Sequence, residues 1–337
     1  MKIGIEGIGF YVPRYRIRLS EIEKVWGRQA PVGVEEKSVA CWDEDSLTMG
    51  IEAARSLFER VDTRLKRRVT RIFFGSESPI YAVNPTSTIL AEYLGIEGEY
   101  NAYDTQFACK AGTGALVSAL DLVKAGEGKA LVVASDKALG RPRDALEFTA
   151  GSGAVALLVS KQKELLLEVL SYTSFSSDTP DFWRGAEEKF PSHFGRFTGE
   201  PAYFKHVLSA GRLILEKTGL KPQDFRFAVF HMPNYKFPVR AAKFLGFSFD
   251  QVKDSLIVKK IGNCYSASAL LGLTAVLEKA KKGDLVFFVS YGSGAGSDAF
   301  VFKVGPLIDI FRPEVSTALE KKIYISYEKY LQFIEAI

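Results

Sequence analysis

The chain has 337 residues, of which 47% are hydrophobic and 25% charged, so it is long enough for two domain-sized units with full cores. Its net charge of +4 is too weak to indicate a nucleic-acid or membrane partner. The three cysteines form no disulfide framework, neither they nor the three histidines have metal-site spacing, and no apolar run reaches membrane-spanning length, so we expect a cytoplasmic protein without a metal.

Strands and helices are predicted to alternate through the first half of the chain. The residue spacing predicts, in order, a strand at 2–11, a short helix capped by Ser20, a loop at 28–40, a helix at 43–61, a strand at 69–74, a helix at 85–94, a helix beginning at Cys109, and strands at 130–135, 151–160 and 165–173. Residues 174–200 have no clear period, and so long an irregular segment in a compact fold is often a functional loop.

The second half of the chain repeats this plan. Strands are predicted at 226–230, 284–290 and 299–304, and helices at 238–245 and from Cys264. Cys109 and Cys264 each lie 26 positions before the serine that ends an apolar strand, and Gly-Ser-Gly-Ala occurs at both 151–154 and 292–295. A duplicated β/α unit of about 150 residues explains these matches.

Cys109 is a candidate nucleophile. A polar segment precedes Cys109, and small residues and then an apolar helical pattern follow it. This order predicts a cysteine in the first turn of a buried helix. The N–H groups and positive dipole at such a helix end favour a thiolate. The alternative is a buried structural cysteine, which is the commoner use of a free cysteine.

The duplication predicts that other reactive side chains gather near Cys109. Glu77 and His231 each lie two residues before a proline and just past a strand, and Asn263 precedes the second cysteine. In β/α units, reactive groups gather at strand ends and helix starts, so these residues are expected in one crevice. Each also has an ordinary alternative: a solvated glutamate, a structural histidine and a helix cap. Cys264 is predicted to be the inert member of the cysteine pair.

Several segments resemble the thiolase superfamily and, within it, archaeal hydroxymethylglutaryl-CoA synthases. The segments are Gly-Ser-Glu-Ser at 75–78, Tyr-Ala-Val at 81–83, Phe-Ala-Cys-Lys-Ala-Gly-Thr at 107–113, Asp-Thr-Pro-Asp-Phe-Trp-Arg at 178–184, Gly-Arg-Phe-Thr-Gly-Glu-Pro-Ala-Tyr at 195–203, His-Met-Pro-Asn-Tyr-Lys-Phe-Pro at 231–238, Gly-Asn at 262–263, and 291–300. The resemblance implies a five-layered α-β-α-β-α fold of two duplicated halves, 1–165 with the nucleophilic cysteine and 166–337 with the histidine, the asparagine and a C-terminal tail.

The resemblance also implies a reaction. An acyltransferase of this family condenses acetyl-CoA with acetoacetyl-CoA, through an acetyl thioester on Cys109, into 3-hydroxy-3-methylglutaryl-CoA and CoA for the mevalonate route to isoprenoids. Glu77 would remove a methyl proton from the acetyl group, His231 would polarise the ketone, and Asn263 would orient the carbonyl. The substrates are CoA thioesters, and no cofactor is implied. CoA contacts are implied for Thr149, Thr198, Lys236, Arg240, Ser293, Gln29 and Ala30.

Two departures from the family pattern bear on fine substrate preference. Cys264 stands where the family more usually has a threonine. Thr105-Gln106 stand directly before Phe107, where the family usually has acidic sequence. The loop at 29–33 is shortened, and Gln29 stands where the family usually has an acid.

Two other functions remain open at this point. The first is a β-ketoacyl carrier-protein synthase III-like enzyme with the same Cys109, His231 and Asn263; Glu77 speaks against it, because decarboxylation makes a carbanion without a base. The second is a non-catalytic scaffold of the same fold. The resemblance further implies a homodimer and an assembly with an acetoacetyl-CoA thiolase and a zinc-ribbon/OB-fold protein. The tail at 313–337 would lie on such a surface or pack in the core or the dimer interface.

Overall fold

The computed structural model describes residues 1–61, 63–126 and 128–336. Its strands are β1 (Lys2–Tyr11), β2 (Tyr15–Arg18), β3 (Glu36–Val39), β4 (Val69–Gly75), β5 (Asn101–Thr105), β6 (Lys129–Lys137), β7 (Ser152–Gln162), β8 (Leu167–Ser176), β9 (Phe182–Trp183), β10 (Ser192–His193), β11 (Phe227–Phe230), β12 (Leu285–Val289), β13 (Gly296–Val304) and β14 (Ile323–Tyr324).

The α-helices are α1 (Leu19–Trp26), α2 (Ser46–Arg60), α3 (Thr86–Leu94), α4 (Ala111–Ala125), α5 (Phe204–Thr218), α6 (Lys236–Phe244), α7 (Phe249–Val252), α8 (Val258–Ile261), α9 (Ser268–Leu277), α10 (Val315–Glu320) and α11 (Tyr327–Phe333). Short 3₁₀ segments lie at Thr63–Arg68, Ala145–Phe148, Pro222–Asp224, Lys253–Ser255, Tyr265–Ala267 and Pro306–Asp309, and a π-helical segment lies at Thr198–Tyr203. Among the described residues, none of these helices is long and apolar enough to cross a membrane.

Nine strands form one sheet, in the order β11-β12-β13-β8-β1-β7-β6-β4-β5. In one half, β4 is parallel to β6, which is antiparallel to β7, which is antiparallel to β1. In the other half, β11, β12, β13 and β8 repeat these relations. The halves meet where β1 pairs with β8 over two residue pairs. Strand β5, parallel to β4, is the open edge on one side.

Helices α4 and α9 lie between the two halves of the sheet. Helix α4 packs on β4, β6 and β7 and on the 3₁₀ segment Tyr265–Ala267, while α9 packs on β1, β7 and β11. Helices α2 and α3 cover the outer face of the first half, and α5 and α6 cover that of the second. The close approach of α4 needs Gly112, where a Cβ atom would lie 2.4 Å from that of Ala134. This arrangement confirms the predicted α-β-α-β-α layering; the division at residue 165 stays a prediction.

The apolar patterns account for most of the elements. Strand β1 occupies the predicted residues, and α2, β4, α3, β6, β7, β8, α6, β12 and β13 lie where strands and helices were predicted, with ends shifted by a few residues. Buried strands such as β7 read as continuous apolar runs because both faces are covered.

Two predictions for the early part of the chain are wrong. Ser20 does not cap a helix, because α1 begins at Leu19 and its N-cap position is Arg18. The predicted loop at 28–40 contains β3, which pairs with β2 in a small sheet completed by β14 near the C-terminus. These strands of four residues or fewer are too short for their period to be recognised.

The tail packs on the core of its own chain, apart from Ile337, which lies outside the described residues. Tyr327, Tyr330 and Phe333 of α11 are buried. The Tyr327 hydroxyl donates to the carboxylate of buried Glu147 at 2.6 Å, and the buried Lys37 ammonium donates to the Tyr330 hydroxyl at 3.0 Å. Because Glu147 belongs to the 3₁₀ segment Ala145–Phe148, the tail also braces a segment that lines the cavity described below.

Candidate active site

Cys109 sits in a tight turn between β5 and α4. Lys110 N–H donates to the Phe107 carbonyl at 2.9 Å, and Ala108 has a left-handed backbone with a φ of 42°. Helix α4 begins at Ala111, so Cys109 precedes the helix rather than occupying its first turn. Gly292 abuts this turn, where a Cβ atom would lie 2.5 Å from the Phe107 carbonyl oxygen. The second half of the chain thus fixes the turn that presents the sulfur.

The protonation of Cys109 differs from the expectation. Burial raises the pKa of the Cys109 thiol well above its usual range, and the charges of Glu77 and Asp136 raise it further. A hydrogen bond from the Asn263 side chain lowers the pKa, but burial outweighs it. The backbone N–H of Cys109 lowers the pKa of the thiol, as expected, but with 6% of the residue exposed burial outweighs this local effect and favours the thiol.

Glu77 follows β4 and faces the sulfur. Its Oε2 atom lies 3.9 Å from Cys109 Sγ, within reach of an S–H hydrogen bond. Burial raises the pKa of the Glu77 carboxyl well above its usual range, and the charge of Asp136 adds to this; the Arg184 guanidinium and the thiol of Cys109 act in the other direction. A carboxyl with a raised pKa is a stronger base once ionised.

Asp136, at the end of β6, holds the loop that carries Glu77. Its Oδ1 accepts hydrogen bonds from the N–H groups of Glu77 and Ser78 at 2.9 and 3.0 Å and from the hydroxyls of Ser76 and Ser78, both at 2.7 Å. Its Oδ2 accepts from Ser266 N–H of the second half at 2.8 Å. The sequence reasoning missed Asp136, although its place at the end of a buried strand was a usable signal.

We expect Asp136→Asn to lower the free energy of unfolding by about 1.5–3 kcal/mol, because an amide accepts fewer hydrogen bonds and turns a donor toward N–H groups. Urea unfolding measures this loss. Asp309→Asn, at an exposed carboxylate, is the matched control and should stay within about 0.5 kcal/mol of the wild type. Equal stability of Asp136→Asn and the wild type would show that the Asp136 hydrogen bonds add nothing.

His231 follows β11 and is 1% exposed. Its backbone is fixed, since its N–H donates to the Val289 carbonyl at 2.9 Å and its own carbonyl accepts from the Tyr203 hydroxyl at 2.8 Å. Its Nδ1 atom has no partner among the described residues. Burial lowers the pKa of His231 to about 3, so the imidazole is neutral at ordinary pH and offers both a donor and an acceptor.

Asn263 is oriented by its own backbone neighbours. Its N–H donates to the Thr149 carbonyl at 2.6 Å, and its carbonyl accepts from Gly151 N–H at 2.9 Å. Its side-chain Oδ1 accepts from Tyr265 N–H at 3.1 Å. Because Oδ1 accepts this hydrogen bond, the NH₂ group of the Asn263 side chain is the part that donates to the sulfur of Cys109.

Cys109, His231 and Asn263 line one cavity of about 250 Å³. The other lining residues are Pro31, Ala145, Leu146, Thr149, Phe182, His193, Gly195, Thr198, Tyr203, Pro233, Asn234, Phe237, Tyr265, Tyr291 and Ser293. Four of them come from the segment at 174–200, the predicted functional loop. A buried thiol, a neutral imidazole and an amide in a mainly apolar cavity suit acyl transfer to sulfur.

The predicted substrate contacts fall into two groups. Thr149, Thr198 and Ser293 line the cavity with Cys109. Lys236, Arg240, Gln29 and Ala30 are not among the lining residues. Lys236 begins α6 and is exposed, and the Arg240 guanidinium lies over the Phe204 ring at 4.6 Å.

The remaining predicted residues are placed as follows. Gln29 is exposed, and Ala30 donates its N–H to Glu23 Oε1 at 2.6 Å, beside the lining residue Pro31. Cys264 is fully buried outside the cavity, 3.9 Å from the Ser38 hydroxyl, and burial raises the pKa of its thiol to about 12. Burial and the raised pKa of the thiol both favour the inert role predicted for Cys264, which stays a prediction. Among the described residues, no group of three or more potential ligands is placed to hold a metal.

Residues 1–163 match a family model described as hydroxymethylglutaryl-coenzyme A synthase N terminal, and residues 215–304 match one described as 3-oxoacyl-[acyl-carrier-protein] synthase III C terminal. The chain is 48% identical over 338 residues to the hydroxymethylglutaryl-CoA synthase of Archaeoglobus fulgidus, covering 98% of both chains. It is 46% identical over 333 residues to that of Pyrococcus horikoshii, covering 97% of this chain and 95% of the relative.

Solved structures agree on the fold. An HMG-CoA synthase crystallised with CoA superposes with a TM-score of 0.90 at 23% identity, covering 99% of this chain and 90% of that one. A second structure, described as MvaS in complex with 3-hydroxy-3-methylglutaryl coenzyme A, has the same TM-score at 25% identity, covering 99% and 92%.

Proposed function

Because the chain belongs to the hydroxymethylglutaryl-CoA synthase family, we propose that Cys109, Glu77, His231 and Asn263 carry out the condensation of acetyl-CoA with acetoacetyl-CoA. The observation that carries this proposal is the approach of the Glu77 carboxylate to 3.9 Å from Cys109 Sγ. An acetyl group on that sulfur would place its methyl protons beside a base of raised pKa.

The first step is transfer of the acetyl group. Cys109 Sγ attacks the thioester carbonyl of acetyl-CoA, the bond from the carbonyl carbon to the CoA sulfur breaks, and the thiol proton ends on the departing CoA. Exchange of one thioester for another is nearly balanced in energy, so the site needs only to orient the reactants and stabilise the oxyanion. Backbone N–H groups at Cys109 and Ser293 are our candidates for that stabilisation.

The second step makes the carbon–carbon bond. The Glu77 carboxylate removes a methyl proton from acetyl-Cys109, and the resulting carbon nucleophile attacks the ketone carbon of acetoacetyl-CoA. Neutral His231 donates a hydrogen bond to the ketone oxygen, while Asn263 orients the carbonyl. The proton that Glu77 removed is the one that the new alkoxide gains, so Glu77 returns to the carboxylate and His231 stays neutral. Water then releases 3-hydroxy-3-methylglutaryl-CoA from Cys109.

CoA is proposed to enter along the cavity past Thr198, Thr149 and Ser293. Lys236 and Arg240 of α6 follow the cavity residues Pro233 and Asn234, so their charges suit the CoA phosphates at the cavity mouth. Contacts from Gln29 and Ala30 to CoA are also proposed, because the next residue, Pro31, lines the cavity. No cofactor is needed for this chemistry.

The test is product formation by the intact protein. With acetyl-CoA and acetoacetyl-CoA, mass spectrometry should detect 3-hydroxy-3-methylglutaryl-CoA and free CoA. Malonyl-carrier protein is the discriminating substrate: its turnover, without condensation of the two CoA thioesters, would support the synthase III-like alternative. Malonyl-carrier protein is included because residues 215–304 match the synthase III C-terminal model.

The pH dependence of the second step should report the pKa of the Glu77 carboxyl. We expect the rate from preformed acetyl-enzyme to rise tenfold per pH unit and to level off above the raised pKa of Glu77, because only the carboxylate is a base. Acetylation removes the thiol hydrogen bond that lowers this pKa, so the midpoint should lie above 4.5. His231, with a pKa of about 3, stays neutral through this range. Rapid-quench measurements that place the midpoint at or below 4.5 would contradict this assignment.

A homodimer is proposed through β5. This strand is an open edge of the nine-stranded sheet, and Tyr103 on it is 46% exposed. An open edge with unpaired N–H and C=O groups is a template for a strand of a second copy. We also propose, from the family alone, an assembly with an acetoacetyl-CoA thiolase and a zinc-ribbon/OB-fold protein, a place in the mevalonate route, and a cytoplasmic location.

A further inference from the structure

Two further cavities lie behind the proposed catalytic cavity, and Glu77 lines both of them. One, of about 140 Å³, has Glu77, Arg184 and Tyr265 among its lining residues. The other, of about 210 Å³, is lined by Glu77, Gln106, Ala108, Phe182, Trp183 and Arg184. We call these the rear cavities.

Two aromatic side chains separate the rear cavities from the catalytic cavity. Tyr265 lines the catalytic cavity and the smaller rear cavity, and Phe182 lines the catalytic cavity and the larger rear cavity. Their rings meet edge to face, with centroids 6.1 Å apart and an interplanar angle of 84°. We call this pair the aromatic wall.

Cys109 packs in the same cluster as the aromatic wall. Cys109 belongs to a small apolar cluster with Ala138, Ala150 and Tyr265, and Phe182 packs against that cluster. An acyl chain on Sγ therefore meets two alanine methyl groups and two rings. Beyond the Phe182 ring, the larger rear cavity already offers empty volume.

The backbone around Phe182 is held firmly. The preceding residue, Asp181, is fully buried, and its carboxylate accepts hydrogen bonds from the Tyr291 hydroxyl and Gly294 N–H, both at 3.0 Å. Two residues after Phe182, the Arg184 guanidinium donates to the backbone carbonyl of Glu77 at 2.9 Å. Because the chain is tied on both sides, the ring can yield to a longer acyl chain only by rotating about its own side-chain bonds, against its packing on Tyr265.

We propose that Phe182 sets the length of the acyl group accepted by Cys109. Acetyl fits in front of the aromatic wall, whereas propionyl and butyryl meet the ring. The inference rests on the proposed acetylation of Cys109 and adds the residue that selects the acyl donor. The chemistry is the same for each donor: the acyl carbon forms a bond to Sγ, its bond to the CoA sulfur breaks, and the thiol proton passes to CoA.

Phe182 is a better test position than Tyr265. Tyr265 is 4% exposed, has a left-handed φ of 44°, and holds Asn263 through its N–H, so changing it would disturb the catalytic residues. Phe182 is only partly buried and lies on a two-residue strand, so its truncation should be tolerated. Phe182→Ala opens the catalytic cavity to the larger rear cavity, and Phe182→Leu removes less volume.

The experiment measures how fast the full-length protein becomes acylated. Wild type, Phe182→Ala and Phe182→Leu are each mixed with acetyl-, propionyl- or butyryl-CoA, and the acyl-enzyme is followed by intact mass with the modified peptide located. In the wild type, each added methylene should slow loading by about tenfold or more. Phe182→Ala should raise the butyryl-to-acetyl ratio by about tenfold or more, and Phe182→Leu should give a smaller rise.

Trp183→Ala is the matched control. Trp183 lines the larger rear cavity but not the catalytic cavity, and it is 42% exposed. Its truncation enlarges the rear cavity without opening the wall, so the wild-type butyryl-to-acetyl ratio should persist. An equal rise in Trp183→Ala, an unchanged ratio in both Phe182 variants, or a wild type that loads butyryl as fast as acetyl overturns the inference.

The two proposals fail differently. A wild type that forms no acetyl-Cys109 removes the proposed function, and this inference with it. A wild type that forms acetyl-Cys109 while Phe182 variants keep its acyl preference removes only the role of Phe182. If Phe182→Ala fails to fold, the ratio measured for Phe182→Leu decides.

Discussion

Cys109→Ala should form no acetyl-enzyme and should lose condensation by at least about 10⁴-fold, because Cys109 is the only cysteine among the residues that line the cavity. Incubation with radiolabelled acetyl-CoA, followed by mass spectrometry of the labelled peptide, measures the first effect directly. The substitution removes one buried sulfur beside Ala138 and Ala150, so the variant should remain folded.

The other two cysteines supply the controls. Cys264→Ala should still become acetylated, because Cys264 is fully buried outside the cavity and burial raises the pKa of its thiol to about 12. Cys41→Ala should behave likewise, since Cys41 is not among the residues that line the cavity. Label on the Cys109→Ala protein, or loss of label in the Cys264→Ala protein, would contradict Cys109 as the nucleophile.

Glu77→Gln should separate the two chemical steps. We expect acetylation of Cys109 to persist, because loss of the Glu77 charge removes one of the causes that raise the pKa of the thiol. Condensation should fall by about 10²–10⁴-fold, the usual contribution of a positioned general base. The acetyl-enzyme should therefore accumulate and stay unreactive when acetoacetyl-CoA is added.

Glu188→Gln is a matched control for this experiment. Glu188 lies on the segment that carries Arg184. Its carboxylate accepts the Gly185 N–H at 2.9 Å, and, unlike Glu77, it lines neither the catalytic cavity nor a rear cavity. It should acetylate and condense like the wild type. Full condensation by Glu77→Gln would exclude Glu77 as the base, and a failure to acetylate would mean that Glu77 also serves the first step.

The family and the candidate residues were open to prediction from the sequence. Cys109, Glu77 and His231 stand where strands end and helices begin, and the duplicated spacing indicated that such ends face each other. The structure brings Glu77 to 3.9 Å from Cys109 and places His231 in the cavity with Cys109. The comparisons confirm the predicted family.

The short strands and the role of the Asp136 carboxylate were harder to predict from the sequence. Strand β2 pairs with β3 and with β14, and the paired residues Tyr15 and Ile323 lie more than 300 positions apart in the chain. The place of Asp136 at the end of a buried strand marks it as a candidate, but only the fold shows that its carboxylate joins the loop after β4 to the segment at Ser266.

By itself, the sequence determined the apolar periods, the duplication and the order of the reactive side chains, because these depend on residues only a few positions apart. Only the tertiary structure showed that burial raises the pKa of the Cys109 thiol, that His231 is neutral at ordinary pH, and that Phe182 lines both the catalytic cavity and the larger rear cavity. The physical reason is that desolvation and contact arise from residues distant in the chain, and burial then outweighs the local effect of a helix end.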